Sequence, residues 1–205
     1  MNKKDFLPVI LGSDENAYGN ARLFYEAYGI KPLVLCKHKL PPTIGSRIID
    51  FMTVDGLDRD PVFITALRGI FEEKSREYRR FVVVPCADYY IHLLAQHMEE
   101  LGKYIANPMP RFELLTGLDT KDAFYRLCDR YGLEYPRTLI VRPEERDSVL
   151  GRDGLLEGAQ IYFPLVMKPE NSNAAEYLNC HFEGKKKVYF LNSADEYRAV
   201  INGMK

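Results

Sequence analysis

Several absences narrow what these 205 residues can encode. The four cysteines, Cys36, Cys86, Cys128 and Cys180, lie far apart, with no CxxC and no histidine at metal-ligand spacing. A cysteine-based metal site is therefore not indicated, and buried free thiols are expected. The histidines His38, His92, His97 and His181 form no HxxxH or HExxH pattern. His92 and His97 are separated by about 500° around a helix, so they do not share a face as a ligand pair would. Charge of one sign is also missing. With 28 basic and 29 acidic side chains the formal charge is -1, and the longest like-charged block is Lys185, Lys186 and Lys187. Binding to nucleic acid or to an acidic membrane surface has no compositional support. No run approaches the roughly 20 apolar residues of a membrane span. The opening MNKKDFLPVILGSD has a basic start, but its apolar run is short, contains a proline and ends in Gly-Ser-Asp. It reads as a first strand and not as a signal peptide, and a soluble cytoplasmic protein is expected. Internal repeats, low-complexity segments and a GxGxxG dinucleotide fingerprint are likewise missing.

What is present is an alternation. Strand-like PVILG, PLVLC, IIDFM and FVVVPC are interleaved with helix-like stretches at 17–28, 61–78 and 87–105. That order predicts a parallel sheet covered by helices, a Rossmann-like α/β domain. Ala17, Ala21, Phe24 and Tyr28 share one helix face, and Gly29 is placed to end the helix. Ile91, Leu94, Met98, Leu101 and Ile105 do the same over 87–105. FVVVPC is apolar without alternation, as expected of a central strand buried on both faces. The prolines of ANPMPRFE cannot continue a helix, which puts a domain boundary near Pro110. The expected domains are 1–110 and 111–205. The second should hold a helix over 119–131 ended by Gly132, strands YPRTLIV, FPLVMKP and KKVYFLN, and a short helix over 143–150. A closing helix opens on the capping-box pattern Ser193-Ala-Asp-Glu196. It runs out at Lys205 with no further strand, as if the chain were cut between two elements.

Three places invite chemistry. At the carboxyl end of the first strand lie Gly12, Ser13 and Asp14, with Asn16, Tyr18, Gly19 and Arg22 following. Ligands of open α/β sheets collect at that edge, where helix N-termini offer free amide donors. Gly12 as a plain turn residue and Asp14 as a helix cap are the alternatives. Pro85 to Tyr90 form the equivalent edge of the fourth strand, where Asp88 is placed either to hold a substrate hydroxyl or ammonium or to cap a helix. Cys86 has no base or cation beside it in the sequence and is expected to pack. The third place is the pair Lys121 and Lys168. Lys121 stands in the first turn of a helix, and Lys168 at the exit of the apolar strand FPLVM, where its stem is expected to be buried. Two ammonium groups from separate elements, with the polar stretch ENSNAAEYLNCHFEGKKK behind them, suit a polyphosphate.

These residues resemble a known family. ILGSDENAYGNARLFYEAYGIKPLVL is similar to the opening of the preATP-grasp domain of ATP-grasp carboxylate-amine ligases. LTGLDTKDAFYRLCDRYGLEYPRTLIV is similar to the entry of the ATP-grasp small subdomain, and FPLVMKPENSN to its phosphate-contacting strand and loop. The likeness is greatest to bacterial D-aspartate ligase-like proteins. It implies a preATP-grasp domain followed by a small α+β subdomain, with ATP and Mg2+ as cofactors. It also implies an amide formed from small-molecule carboxylate and amine substrates through an acyl phosphate, in modification of cell-wall precursors. It places Lys121 and Lys168 on the phosphates. Ser172, Asn173 and Lys187 would complete the loop, which lacks the family's usual glycines. Ser13, Asp14, Tyr18 and Asp88 are the candidates for substrate. The family's later subdomain carries the adenine hinge and the metal ligands. A chain of this extent is therefore expected not to be a competent ligase by itself. Two other readings remain open: a non-catalytic module binding a small molecule or a partner, and an ATP-grasp amino-acid or peptide ligase of other substrate. The oligomeric state is not encoded in any legible way.

Overall fold

The computed structural model describes residues 3–118, 120–151, 154–169 and 181–203. They fall into two compact units, Met1–Thr116 and Gly117–Lys205.

Unit 1 contains strands β1 (Lys4–Leu11), β2 (Leu33–Cys36), β3 (Asp50–Thr53) and β4 (Tyr78–Pro85) in one parallel sheet, ordered β3-β2-β1-β4. Side chains of a strand alternate between faces. Leu7, Val9 and Leu11 of β1 join Leu35, Phe63, Leu67, Phe71, Phe81 and Leu94 in the larger core. Ile10 points the other way, into a smaller core with Val34, Ala17 and Ala21. Helix α1 (Glu15–Tyr28) covers that second face with two small residues, while α2 (Val62–Lys74) and α3 (Asp88–Gln96) cover the first. This is the expected α/β layering. Gly29 ends α1 in the left-handed region, at φ 66°, where a side chain would be strained.

Three expectations within unit 1 need correction. The central strands are β1 and β2, whereas β4 lies at the end of the sheet order. FVVVPC is apolar throughout because both of its faces pack, Phe81 and Val83 in the larger core and Val84 and Cys86 against the smaller, while its outer edge is covered by the chain at 104–107. Phe81 N–H donates to Tyr104 O (3.0 Å), and Ala106 N–H donates to Phe81 O (2.8 Å). Asn107 then accepts from Val83 N–H (2.8 Å) and donates to Val83 O (2.9 Å) through its side-chain amide. The helix expected over 87–105 is accordingly interrupted. It breaks at His97 into α3 and the single turn α4 (Met98–Leu101), which frees the following residues to run beside β4. The helix expected over 61–78 stops at Lys74, since Tyr78 is needed in β4 opposite Lys4. The unit closes with α5 (Phe112–Thr116).

Unit 2 holds α6 (Lys121–Tyr131), a 3-10 turn (Pro143–Ser148), α7 (Leu155–Gly158), strands β5 (Leu165–Met167) and β6 (Tyr189–Leu191) in an antiparallel pair, and α8 (Ala194–Gly203). It is a small α+β unit. Thr120 caps α6 by accepting from Ala123 N–H (3.2 Å), and Gly132 ends it in the left-handed region. Val149, Tyr189, Leu191 and Tyr197 form its buried core. Half of the capping box expected at the start of α8 is present: Ser193 Oγ accepts from Glu196 N–H (3.3 Å), whereas Glu196 Oε2 reaches one residue further back and accepts from Asn192 N–H (2.8 Å). YPRTLIV does not form a strand. Its first half is largely exposed, and Arg137 there donates to Gln160 O (2.9 Å) in place of a ladder partner.

Candidate functional site

In unit 1 the chain leaves the sheet at a common, carboxyl-terminal edge, and a cavity of about 210 Å³ opens there. Its wall begins at Gly12, which leaves β1 with φ 127°. A Cβ at that position would stand 3.1 Å from Cβ of Cys86, so glycine is required both for the backbone angle and for the close approach of the two turns. Gly12 N–H donates to Leu35 O (2.8 Å), and Cys86 N–H donates to Leu11 O (2.8 Å), which extends the ladder to the cavity rim.

Ser13 is buried, and its hydroxyl donates to His38 O (2.8 Å). The hydroxyl of the fully buried Thr43 donates to Ser13 O (3.0 Å). The loops after β1 and β2 are thereby fastened to one another, and His38 and Leu40 become fixed parts of the wall. Asp14 lines the cavity and also caps α1, accepting from Ala17 N–H at 3.0 Å. Both roles proposed for Asp14 from sequence are geometrically compatible.

Cys86, Tyr89 and the almost fully buried Tyr90 also line the cavity. Burial, with the nearby Asp14 carboxylate adding to it, pushes the Cys86 thiol up to about 11. This is the signature of a packing thiol and not of a nucleophile. Burial also raises the hydroxyl of Tyr90. Cys36, Cys86 and Cys128 are free, and Cys180 lies outside the described residues.

The remaining wall is charged. Lys37, the residue after β2, pairs with Asp58 at 3.1 Å, and both line the cavity. The Lys37 ammonium, foremost, holds the Asp58 carboxyl below its usual range. Only Oδ2 of Asp58 meets Lys37. The backbone amide of Asp58 also favours its carboxylate, but Oδ1 is buried with no hydrogen bond of good geometry among the described residues.

Of the substrate candidates read from sequence, Ser13 and Asp14 line the cavity, while Tyr18 and Asp88 do not. Tyr18 is exposed on α1, and Asp88 is exposed in the first turn of α3. Asp88 is not the cap, because Ala87 occupies that position and offers no side-chain bond. Lys37 was legible in principle, as it stands at the strand-end position of PLVLC that equals Gly12-Ser13 of PVILG. Asp58 comes from a loop with no such signal.

In unit 2 the Lys121 ammonium donates to Pro169 O at 3.1 Å. The first turn of α6 thus meets the residue that follows Lys168. Lys168 is exposed, against the expectation of a buried stem. β5 is three residues long and belongs to a two-stranded sheet with an open face, on which Val166 is 53% and Phe190 75% exposed. Its exit therefore lies in solvent. Lys187 is exposed two residues before β6, and Ser172 and Asn173 lie outside the described residues. Among the described residues no three His, Cys, Asp or Glu side chains gather to hold a metal ion. No described helix is long and apolar enough to cross a membrane.

No family model matches the chain. Over 202 residues, 98% of its length, it is 38% identical to D-aspartate ligase from Enterococcus faecium. The chain spans about half, 47%, of that relative. Its fold is shared with a crystal structure of L-amino acid ligase from Bacillus licheniformis, with a TM-score of 0.56 and 12% identity, covering 98% of this chain and 42% of that one. The resemblance to D-aspartate ligase-like proteins read from the sequence is borne out by the first of these, and the α/β fold by the second.

Proposed function

We propose that this chain, kin over nearly its whole length to D-aspartate ligase, is part of an ATP-dependent carboxylate-amine ligase that acts on cell-wall precursors. In that reaction a carboxylate oxygen takes the terminal phosphoryl group of ATP and ADP leaves. The amine nitrogen then attacks the acyl carbon, and phosphate departs as the amide forms. The observation that carries the reading is the bond from Lys121 to the Pro169 carbonyl. It brings an ammonium from the start of α6 to the strand exit where Lys168 stands, as a polyphosphate needing two separately mounted cations requires. Lys121 and Lys168 would neutralise phosphate oxygens, with Lys187, Ser172 and Asn173 as further candidates. Magnesium would supply additional neutralisation of the phosphates. The described residues offer it no ligand cluster, so its binding is assigned to no side chain here. Ser13 and Asp14 at the edge of unit 1 are the candidates for a small substrate.

The test is calorimetric titration of Mg-ATP and Mg-ADP into the chain, its Lys121→Ala and Lys168→Ala variants, and an exposed-lysine control, Lys3→Ala. Saturable binding weakened about tenfold by either of the first two substitutions is the expected result, since one charge-assisted contact is worth about that factor. Equal affinity across all four proteins would overturn the assignment of these lysines.

A further inference from the structure

The ion pair in the unit 1 cavity has chemistry that a purely structural pair does not need. A lysine-carboxylate pair open to solvent contributes little to stability. This one sits where ligands of parallel sheets collect, on a cavity wall that has been made rigid. Ser13 and Thr43 spend their hydroxyl protons on backbone carbonyls, tying together the loops from which Lys37 and the cavity floor arise. The pair is lopsided. Lys37 meets Oδ2 of Asp58, and the buried Oδ1 has no hydrogen bond of good geometry among the described residues. A carboxylate oxygen withheld from water without a well-placed donor is costly, which favours any occupant that brings one. The ammonium, for its part, has three donors and spends only one of them on Asp58 among the contacts described.

We propose that the Lys37-Asp58 pair is the recognition element of an amino-acid-sized zwitterion site, in which Asp58 takes the ligand's ammonium and Lys37 its carboxylate. The inference rests on the ligase reading, in which one substrate supplies a carboxylate; an amino acid in that role brings an ammonium beside it. Size agrees with it. A cavity of about 210 Å³ is smaller than the roughly 300–1,000 Å³ that encloses drug-sized ligands. A nucleotide is too large for it, and a single amino acid is not. The other charged group on the wall, Asp14, has one oxygen engaged by the Ala17 amide and the other by the Asn16 side chain at 3.3 Å. Its negative charge adds to the preference for a ligand bearing an amine. Tyr89, half exposed with its ring 4.3 Å from that of Tyr90, adds an aromatic surface to the lining.

The experiment uses the 205-residue chain and three ligands: D-aspartate, L-aspartate, and succinate, which is aspartate without the amino group. Each is titrated into the wild-type chain, Asp58→Asn and Lys37→Met, with binding read by shifts of backbone amide NMR signals from the cavity residues. Mg-ADP is titrated into the same samples. The proposal expects at least one aspartate enantiomer to bind more tightly than succinate. Asp58→Asn should weaken the aspartate by about tenfold to a hundredfold, the scale of a lost charge-assisted contact, and leave succinate unchanged or more tightly bound, because a negative charge has left the site. Lys37→Met should weaken both. Asn at 58 keeps the shape of the side chain, and native-like spectra of each variant verify its fold. If neither aspartate shifts the cavity signals of the folded wild-type chain, or if Asp58→Asn weakens aspartate and succinate alike, the proposal is overturned. The nucleotide arm separates the two ideas. Nucleotide binding without amino acid binding removes this inference and leaves the ligase reading; the reverse result supports the site and removes the nucleotide assignment.

Discussion

Gly12→Ala gives a direct test of how the cavity rim is built. At φ 127° the backbone of residue 12 lies in a region that glycine alone adopts readily, so any side chain carries a strain of about 1–3 kcal/mol. The added methyl would also stand 3.1 Å from Cβ of Cys86. That neighbour belongs to a turn held by the bond from its amide to Leu11 O, and it can move little. Crowding of this kind adds about 1–3 kcal/mol. The expected loss is therefore about 2–6 kcal/mol, a large share of the roughly 5–15 kcal/mol that holds a typical domain together. Urea unfolding followed by far-ultraviolet circular dichroism measures it. The control is Gly69→Ala in α2, where the new methyl meets nothing within 4 Å and φ is ordinary. There alanine should be neutral or stabilising by about 0.5–1 kcal/mol. Adding Cys86→Gly to Gly12→Ala removes the contact but not the backbone strain, so only part of the loss should return. Should Gly12→Ala prove as stable as Gly69→Ala, the account of this turn is wrong.

Two helix caps and one thiol give further outcomes. Asp14→Ala and Thr120→Ala each remove a side-chain acceptor from a helix N-terminus, and each should cost about 1 kcal/mol in denaturant unfolding. Asp14→Asn, which still accepts, should recover most of it. Cys86 should resist alkylation at neutral pH, and its rate, followed by peptide mass spectrometry, should climb until the pH nears about 11. Because the folded value lies above the unfolded one, the protonated thiol favours the native state. Its contribution is whole below the unfolded value and drains away as pH rises toward about 11, a loss that Cys86→Ala should abolish.

Unit 1 was legible because strand and helix periods alternate cleanly over its first hundred or so residues, and a βαβ order leaves few topologies. The misreadings have one physical root. Periodicity reports which faces of a segment are covered, not by what. Both faces of β4 pack on cores although the strand ends the sheet order, so an end strand looked central, and the helix expected to run unbroken to Ile105 had to yield residues to cover its outer edge. YPRTLIV has a strand's composition, yet a strand needs a partner, and among the described residues none pairs with it. Lys168 was misjudged for the converse reason. Its strand is apolar, but the two-stranded sheet it joins leaves one face bare. At the carboxyl edge the sequence pointed to Gly12, Ser13 and Asp14. Ser13 turned out to fasten loops, and Lys37 and Asp58 lie 21 residues apart, a distance at which no local pattern links them.

The amide of Asn107 has a consequence for how this molecule keeps company with copies of itself. An open strand edge is an invitation to any passing chain with unpaired backbone groups, and it is a common route to fibrils. Here one asparagine presents a donor and an acceptor to Val83 with the spacing of a neighbouring peptide, so the last rung of the sheet is taken by a group that has no next rung to offer. Pro108 follows at once and has no N–H to continue the ladder. At Val83 the width of the sheet is thus set by a side chain acting as a full stop, and a crowded solution of these molecules finds that rung already taken.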